Sequence, residues 1–240
     1  MHNQTKKYRR IIVEGNVGAG KSTFLRLLQN SFSAHFILEP HEEWQNIGGH
    51  NLLQEFYIDQ TRWAYTFQSY AFITRMRTEE GSIKDNPHDT YILERSVFSD
   101  RYCFAKNCFE LGVMGPLEWR LYQEWFAWLI ESQYYMPNGF IYLQTDPEIC
   151  YQRMVKRNRH EESAVSLQYL TMLHQKHEDW LIHKKDIQPA LKEVPVLTLT
   201  CNEDFEHNLQ QRSYLFSRIQ EFFNLPLLGE KKDITVPCSL

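Results

Sequence analysis

Five short apolar runs punctuate the chain, and each gives way to turn formers or to a stretch with helical spacing. Arg10-Ile11-Ile12-Val13-Glu14 is β-branched and runs into glycines. His35-Phe36-Ile37-Leu38-Glu39 is stopped by Pro40. Thr90-Tyr91-Ile92-Leu93-Glu94, Gly139-Phe140-Ile141-Tyr142-Leu143 and Val194-Pro195-Val196-Leu197-Thr198-Leu199 have the same character. Short, continuously apolar runs of this kind read as strands buried on both faces. Between them the spacing predicts helices over 21–29, over 59–80 with an end near Gly81, over 97–110 and 116–133 with Gly112 and Gly115 between, from Pro147 onward, and over 205–223. Strands alternating with helices predict an α/β fold with a largely parallel sheet. No repeat, low-complexity block or linker interrupts the pattern. The expectation is one domain over 1–240, with its core at about 9–223 and a weakly ordered tail at 224–240.

Composition narrows the function classes. Of 240 residues, 42% are hydrophobic and 23% charged, which is ordinary globular usage and argues against disorder. The formal charge of −4 lacks the broad basic footprint of a nucleic-acid binder. Cys103, Cys108, Cys150, Cys201 and Cys238 are odd in number and scattered, with no C-x-x-C pair. That argues against a disulfide framework or a zinc site and suits a reducing compartment. No apolar run is long enough to span a membrane, and the polar, basic first ten residues are not a secretory signal. The expectation is a cytoplasmic protein with no membrane and no nucleic-acid partner.

Chemistry enters at Gly15-Asn16-Val17-Gly18-Ala19-Gly20-Lys21-Ser22, which fits G-x-x-x-x-G-K-[ST] at every fixed position. Glycines let backbone N–H groups surround phosphate oxygens. The helix opening at Lys21, and running on through Thr23, points its positive end at the anion. Lys21 would reach the β- and γ-phosphates, and Ser22 would offer its hydroxyl to Mg²⁺. The motif follows one predicted strand and opens one predicted helix, as a phosphate cradle requires. No N-K-x-D, D-x-x-G or L-S-G-G-Q motif is present, which disfavours a GTPase or a transporter ATPase.

In open α/β sheets ligands sit beyond the carboxyl ends of the strands. Two predicted strands end in glutamate there, Glu39 and Glu94. Phosphoryl transfer to a hydroxyl needs a base beside that hydroxyl and charge handling at the metal, so the pair suits those jobs, with Arg95 neutralising the moving phosphoryl. Helix capping is the plain alternative for each carboxylate. Arg153, Lys156, Arg157 and Arg159 concentrate four cations in seven residues, followed by Glu161 and Glu162. Such a segment can close over a phosphate and exclude water; a solvated helix end is the alternative. Gln68, Ala71 and Arg75 share one face of a helix dense in aromatic rings, with Asp100 able to complete a polar edge that reads a planar base. A core helix with one snorkelling arginine is the competing reading.

Together these motifs resemble the deoxynucleoside kinase family, close to its deoxycytidine and deoxyguanosine kinase branch, over about residues 9–223. The resemblance rests on the P-loop at 15–22, on Glu39-Pro40 with Trp44 downstream, and on Trp63-x-x-Thr66-Phe67-Gln68. It rests also on Glu94-Arg95-Ser96 through Asp100-Arg101-Tyr102, on the lid Arg153, Arg157, Arg159 and Glu162, and on Asn202-Glu203-Asp204-Phe205. It implies a five-stranded parallel P-loop kinase core, usually dimeric through a pair of helices. ATP or another nucleoside triphosphate would be the donor, with Mg²⁺, and the acceptor the 5′-hydroxyl of a deoxynucleoside.

By the same resemblance Glu39 is the general base, Arg95 holds the neighbourhood of the hydroxyl, and Glu94 serves the Mg²⁺ region. Gln68 makes paired hydrogen bonds to the base. Tyr57 and Glu162 bind the sugar 3′-hydroxyl, and Trp44, Phe67 and Phe104 line the base pocket. Asp204 and Phe205 pack near the donor's base. Arg75 with Asp100 accompanies use of deoxycytidine or purine deoxynucleosides over thymidine. His41 departs from the branch, which has a small apolar residue there. A nucleoside monophosphate kinase and a non-catalytic nucleotide sensor are the rival readings.

Overall fold

The computed structural model describes residues 8–133 and 136–229; the expectations for the first residues, for Cys238 and for the last eleven residues lie outside these. Strand β1 (Arg9–Glu14) leads into α1 (Lys21–Gln29) and β2 (His35–Ile37). Three helices follow: α2 (His41–Gln45), α3 (Leu52–Ile58) and the long α4 (Gln60–Asp85). After β3 (Thr90–Glu94) the chain is helical as α5 (Val97–Ser99), a π-helical turn (Asp100–Ala105) and α6 (Lys106–Glu110), and then forms α7 (Pro116–Gln133). β4 (Gly139–Gln144) precedes α8 (Pro147–Arg157), a 3₁₀ turn (His160–Ala164) and α9 (Leu167–His177). A second π turn (Glu178–Ile182), α10 (Pro189–Lys192), β5 (Val196–Thr200) and α11 (Leu209–Phe223) complete the order.

All five strands pair in parallel, in the order β2-β3-β1-β4-β5. Side chains alternate across the sheet and both faces are covered. Ile11, Val13, Ile141 and Leu143 pack with Phe24, Leu28 and Ile219 of α1 and α11. Ile12, Leu93 and Phe140 pack with Phe72 and Phe126 of α4 and α7. This is why the strands read as unbroken apolar runs rather than alternating ones. β1 lies in the middle, where the chain's progress across the sheet reverses direction, and the crevice at its carboxyl end is where such folds bind ligands.

Several boundaries differ from the sequence pattern. β2 ends at Ile37, so Glu39 stands two residues beyond it; as an edge strand, β2 pairs on one side only. α4 runs through Gly81 to Asp85, because Ile83 packs into the core under β3 and outweighs the ~1 kcal/mol cost of a helical glycine. α11 begins at Leu209, where the Asn208 side chain accepts from the N–H groups of Gln210 and Gln211. Residues 160–193 carry no strong apolar period, yet they hold α9, capped by Ser166 through the N–H of Tyr169. The described part of the tail is packed: Leu225 is buried, and Leu228 N–H donates to the Ser31 carbonyl. Among the described residues no helix is long and apolar enough to cross a membrane.

Candidate active site

A cavity of about 730 Å³ opens beyond the carboxyl ends of β1, β2 and β3. One end is the phosphate cradle. Gly18 and Gly20 both have positive φ, +81° and +91°. A Cβ at Gly18 would lie 2.2 Å from the Cys150 carbonyl oxygen, so the loop can take this path only as glycine. The Asn16 side chain donates to the Leu170 carbonyl at 2.8 Å and accepts from Val17 N–H at 2.9 Å, fastening the loop to α9. Lys21 Nζ donates to the Asn16 carbonyl at 2.7 Å. Burial, with Arg95 nearby, pulls its ammonium down to about 7, against the pull of Glu94 and Glu39. Ser22 Oγ donates to Glu94 Oε1 at 2.7 Å, so the two predicted metal donors are neighbours. Val17, Gly18, Gly20, Lys21, Ser22 and Thr23 line the cavity; Gly15, Asn16 and Ala19 do not.

The middle of the cavity is a charged cluster drawn from four elements. Arg75 of α4 donates to both oxygens of Asp100, at 2.9 and 3.0 Å, to Glu39 Oε1 at 2.8 Å, and to the Glu94 carbonyl at 3.3 Å. Arg95 Nε stands 3.5 Å from the same Glu39 oxygen. Burial opposes ionisation of Glu39, but Arg75, Arg95 and Lys21 outweigh it and hold the carboxyl at about 2. The Arg75 guanidinium is buried, yet Asp100 and Glu39 more than compensate and bind its charge more firmly than usual.

Arg95 itself has φ of +62°, left-handed for a residue with a side chain, a conformation that costs about 1–3 kcal/mol and is found at functional sites. Its guanidinium lies 4.6 Å from the Phe104 ring centroid. Its Nη1 is buried with no hydrogen-bond partner, a donor aimed at no protein group. Beneath it, Ser96 Oγ donates to Glu14 Oε1 at 2.6 Å, and burial lifts the Glu14 carboxyl to about 7 against the pull of Arg95. The sequence reading missed Glu14, although it ends β1 as Glu94 ends β3.

The far end is a ring-lined chamber. Trp44 Nε1 donates to Thr74 Oγ1 at 2.9 Å, which fixes the indole. Phe67 packs edge-on to Trp44 and stacks on Phe56 with centroids 4.7 Å apart. Gln68, Ala71, Tyr57, Phe104 and Glu162 complete the walls that the sequence predicted, and Phe56, Leu53 and Tyr169 are additions it did not. Gln68 is buried, and its Nε2 makes a weak hydrogen bond to Cys108 Sγ at 3.9 Å. The π turn that carries Asp100 and Phe104 aims both into the cavity, a use to which such turns are often put.

The basic segment divides. Arg157 donates to both oxygens of Glu162 at 2.6 Å, and Arg159 lies 3.6 Å from the same carboxylate; all three border the cavity. Arg153 does not. It donates to the carbonyls of Asn202 and Glu203 at 3.2 and 2.9 Å and lies 5.7 Å from the Phe205 ring centroid. Phe205 in turn closes against Gly20, so this arginine and ring brace the rear of the cradle. Asp204 is exposed and accepts from Glu206 and His207 N–H groups in a turn outside the cavity.

Comparison with known proteins identifies the family. The family model for deoxynucleoside kinase matches residues 11–224. The chain is 42% identical to deoxycytidine kinase 2 of Gallus gallus, over 90% of this chain and 91% of that one. It is 41% identical to the mitochondrial deoxyguanosine kinase of Xenopus laevis (92% and 91%) and 38% identical to deoxycytidine kinase of Homo sapiens (91% and 92%). The family model and these relatives match nearly the whole chain, and the protein belongs to the deoxynucleoside kinase family.

Proposed function

We propose that this chain transfers the γ-phosphoryl of ATP to the 5′-hydroxyl of a deoxynucleoside, with deoxycytidine and purine deoxynucleosides favoured over thymidine. The observation that carries this reading is the single cavity in which Lys21, Ser22 and the unpartnered Nη1 of Arg95 face Glu39 across the mouth of an aromatic chamber. Glu39, held ionised, would accept the hydrogen bond of the 5′-hydroxyl and orient it. A loose phosphoryl-transfer transition state defers proton transfer, so the carboxylate need not be a strong base at the start. Lys21 and the cradle's N–H groups would hold the donor phosphates, and Arg95, Arg157 and Arg159 would meet charge on the transferring group.

Ser22 and Glu94 fit Mg²⁺: both present oxygen, and the ion needs few protein ligands besides phosphates and water. When bound, it would neutralise charge between the β- and γ-phosphates. Gln68 would hydrogen-bond the base between Trp44, Phe67 and Phe104, and Tyr57 with Glu162 would take the sugar 3′-hydroxyl. The Arg75–Asp100 pair would fill the space of a thymine methyl and offer acceptors to an exocyclic amine. Arg153, Asp204 and Phe205 would serve the donor side from behind the cradle.

We further read the chain as one domain acting in the cytoplasm, a compartment that suits the four cysteines among the described residues, all free and buried. A homodimer fits the exposed apolar face of α7, where Leu117, Leu121, Trp125 and Trp128 lie one turn apart. The test is product formation from ATP·Mg²⁺ with each of four deoxynucleosides, in wild type and Glu39→Gln. Deoxycytidine or a purine should lead, and the variant should lose about 10²–10⁴ in kcat. Thymidine as the best acceptor would overturn the specificity; turnover of none would overturn the reading.

A further inference from the structure

Behind the Glu39-Pro40 corner, α2 opens with His41, whose ring packs 5.9 Å from Trp44 in the wall of the aromatic chamber. On its other side His41 Nε2 lies 3.0 Å from Arg159 Nη1. A guanidinium only donates, so Nε2 must be the acceptor and the ring must be neutral, with its proton on Nδ1. One turn on, Gln45 Nε2 donates to Glu161 Oε1 at 2.8 Å. Asn51, which caps α3, donates to that same Glu161 oxygen at 2.9 Å. The bond between Arg159 and His41 and those from Gln45 and Asn51 to Glu161 therefore join the acceptor-side helices to the segment 158–164.

We propose that His41 is a positioning residue that clasps Arg159 to α2, so that the arginine lid and the acceptor pocket close as one body. The proposal rests on the phosphoryl-transfer reading for its kinetic consequence but not for the clasp itself. Ordinarily a lid arginine and a base pocket serve different substrates and can move apart. Here a neutral imidazole touches both, beside the direct bonds of Gln45 and Asn51 to Glu161. Protonation would remove the acceptor and set two cations against each other. The groups facing the ring are Arg159, Glu161 and Glu162 from the lid segment, Glu39 from the loop after β2, and Gln45 on its own helix. Burial and Arg159 keep the imidazole below its ordinary range, against Glu39 and Glu162, so the clasp is intact at neutral pH and opens in acid.

Two measurements on the full chain separate the parts. Hydrogen exchange of residues 158–166 in wild type, His41→Val and His41→Gln reads the clasp without any turnover. His41→Val should speed exchange by about tenfold, the loss of one hydrogen bond to a charged group. His41→Gln, whose carbonyl oxygen can still accept from Arg159, should stay near wild type. Lowering the pH from 7.5 to 5 should loosen wild type relative to His41→Gln. Steady-state kinetics then read the coupling: His41→Val should raise the acceptor KM several-fold, His41→Gln should restore it, and with Arg159→Gln already in place His41→Val should add little. Unchanged exchange in His41→Val, or His41→Gln as loose as His41→Val, overturns the clasp. A loosened lid with an unchanged acceptor KM overturns the coupling. If wild type phosphorylates no deoxynucleoside, the functional reading falls, and exchange still decides the clasp.

Discussion

Replacing Arg75 by methionine tests the charged cluster most directly. The side chain is of similar length and apolar, so packing changes little, while every hydrogen bond of the guanidinium is lost. Asp100 loses both hydrogen bonds from Arg75, at 2.9 and 3.0 Å, and Glu39 loses the one at 2.8 Å. Asp100 is 2% exposed. Removing one member of a buried ion pair costs about 3–5 kcal/mol, because a charge is left uncompensated. For a chain of this size that lowers Tm by about 6–20 °C.

The pH dependence follows from the sign of each shift. In wild type Glu39 is depressed from an ordinary 4.5 to about 2, so its stabilisation is present above about pH 4.5 and is lost as pH falls through 2. In Arg75→Met the stranded Asp100 titrates above its unfolded value, so the deficit is greatest at neutral pH and shrinks as acid neutralises it. Thermal unfolding at pH 7.5 and pH 5.5, for wild type, Arg75→Met and Arg75→Met/Asp100→Asn, is the assay. The double variant should recover part of the loss. A Tm for Arg75→Met within about 2 °C of wild type at pH 7.5, below a single kcal/mol, would refute the view that Arg75 holds two buried carboxylates.

Three more outcomes are expected. Lys21, lowered to about 7 by burial and Arg95, should take up a proton when the phosphates of ATP bind; calorimetric titration near pH 7.5 in buffers of different ionisation enthalpy should report net uptake that Lys21→Met abolishes. Gly18→Ala, whose Cβ would meet the Cys150 carbonyl at 2.2 Å from a backbone at φ +81°, should weaken ATP binding at least tenfold or prevent soluble expression, checked by calorimetry on whatever folds. Trp125→Glu on the exposed face of α7 should shift the sedimentation of a dimer to that of a monomer.

The cradle was legible in the sequence because its chemistry is local. Eight consecutive residues carry the glycines, the lysine and the hydroxyl, and a strand and helix on either side fix their geometry. The central strands were legible because a sheet covered on both faces demands unbroken apolar runs. Glu39 and Glu94 could be singled out because strand ends in such sheets face the ligand. Residues 160–193 were less legible: α9 is held by tertiary packing of Leu170 and Leu173 rather than by a strong period of its own.

The division within the basic segment could not be read from spacing. Arg153 and Arg157 lie one turn apart on α8, yet Arg153 turns to the carbonyls of Asn202 and Glu203 while Arg157 meets Glu162. The sequence by itself determined the five strands and the long helices between them, the phosphate loop and the kinds of side chain available, since these depend on neighbours along the chain. Tertiary structure alone decided that Arg75 would hold Glu39 as well as Asp100, that Arg95 would keep one free donor, and that His41 would reach Arg159 across 118 residues. Such pairings depend on where separate elements cross, and a guanidinium takes whichever acceptors the packing brings within about 3 Å.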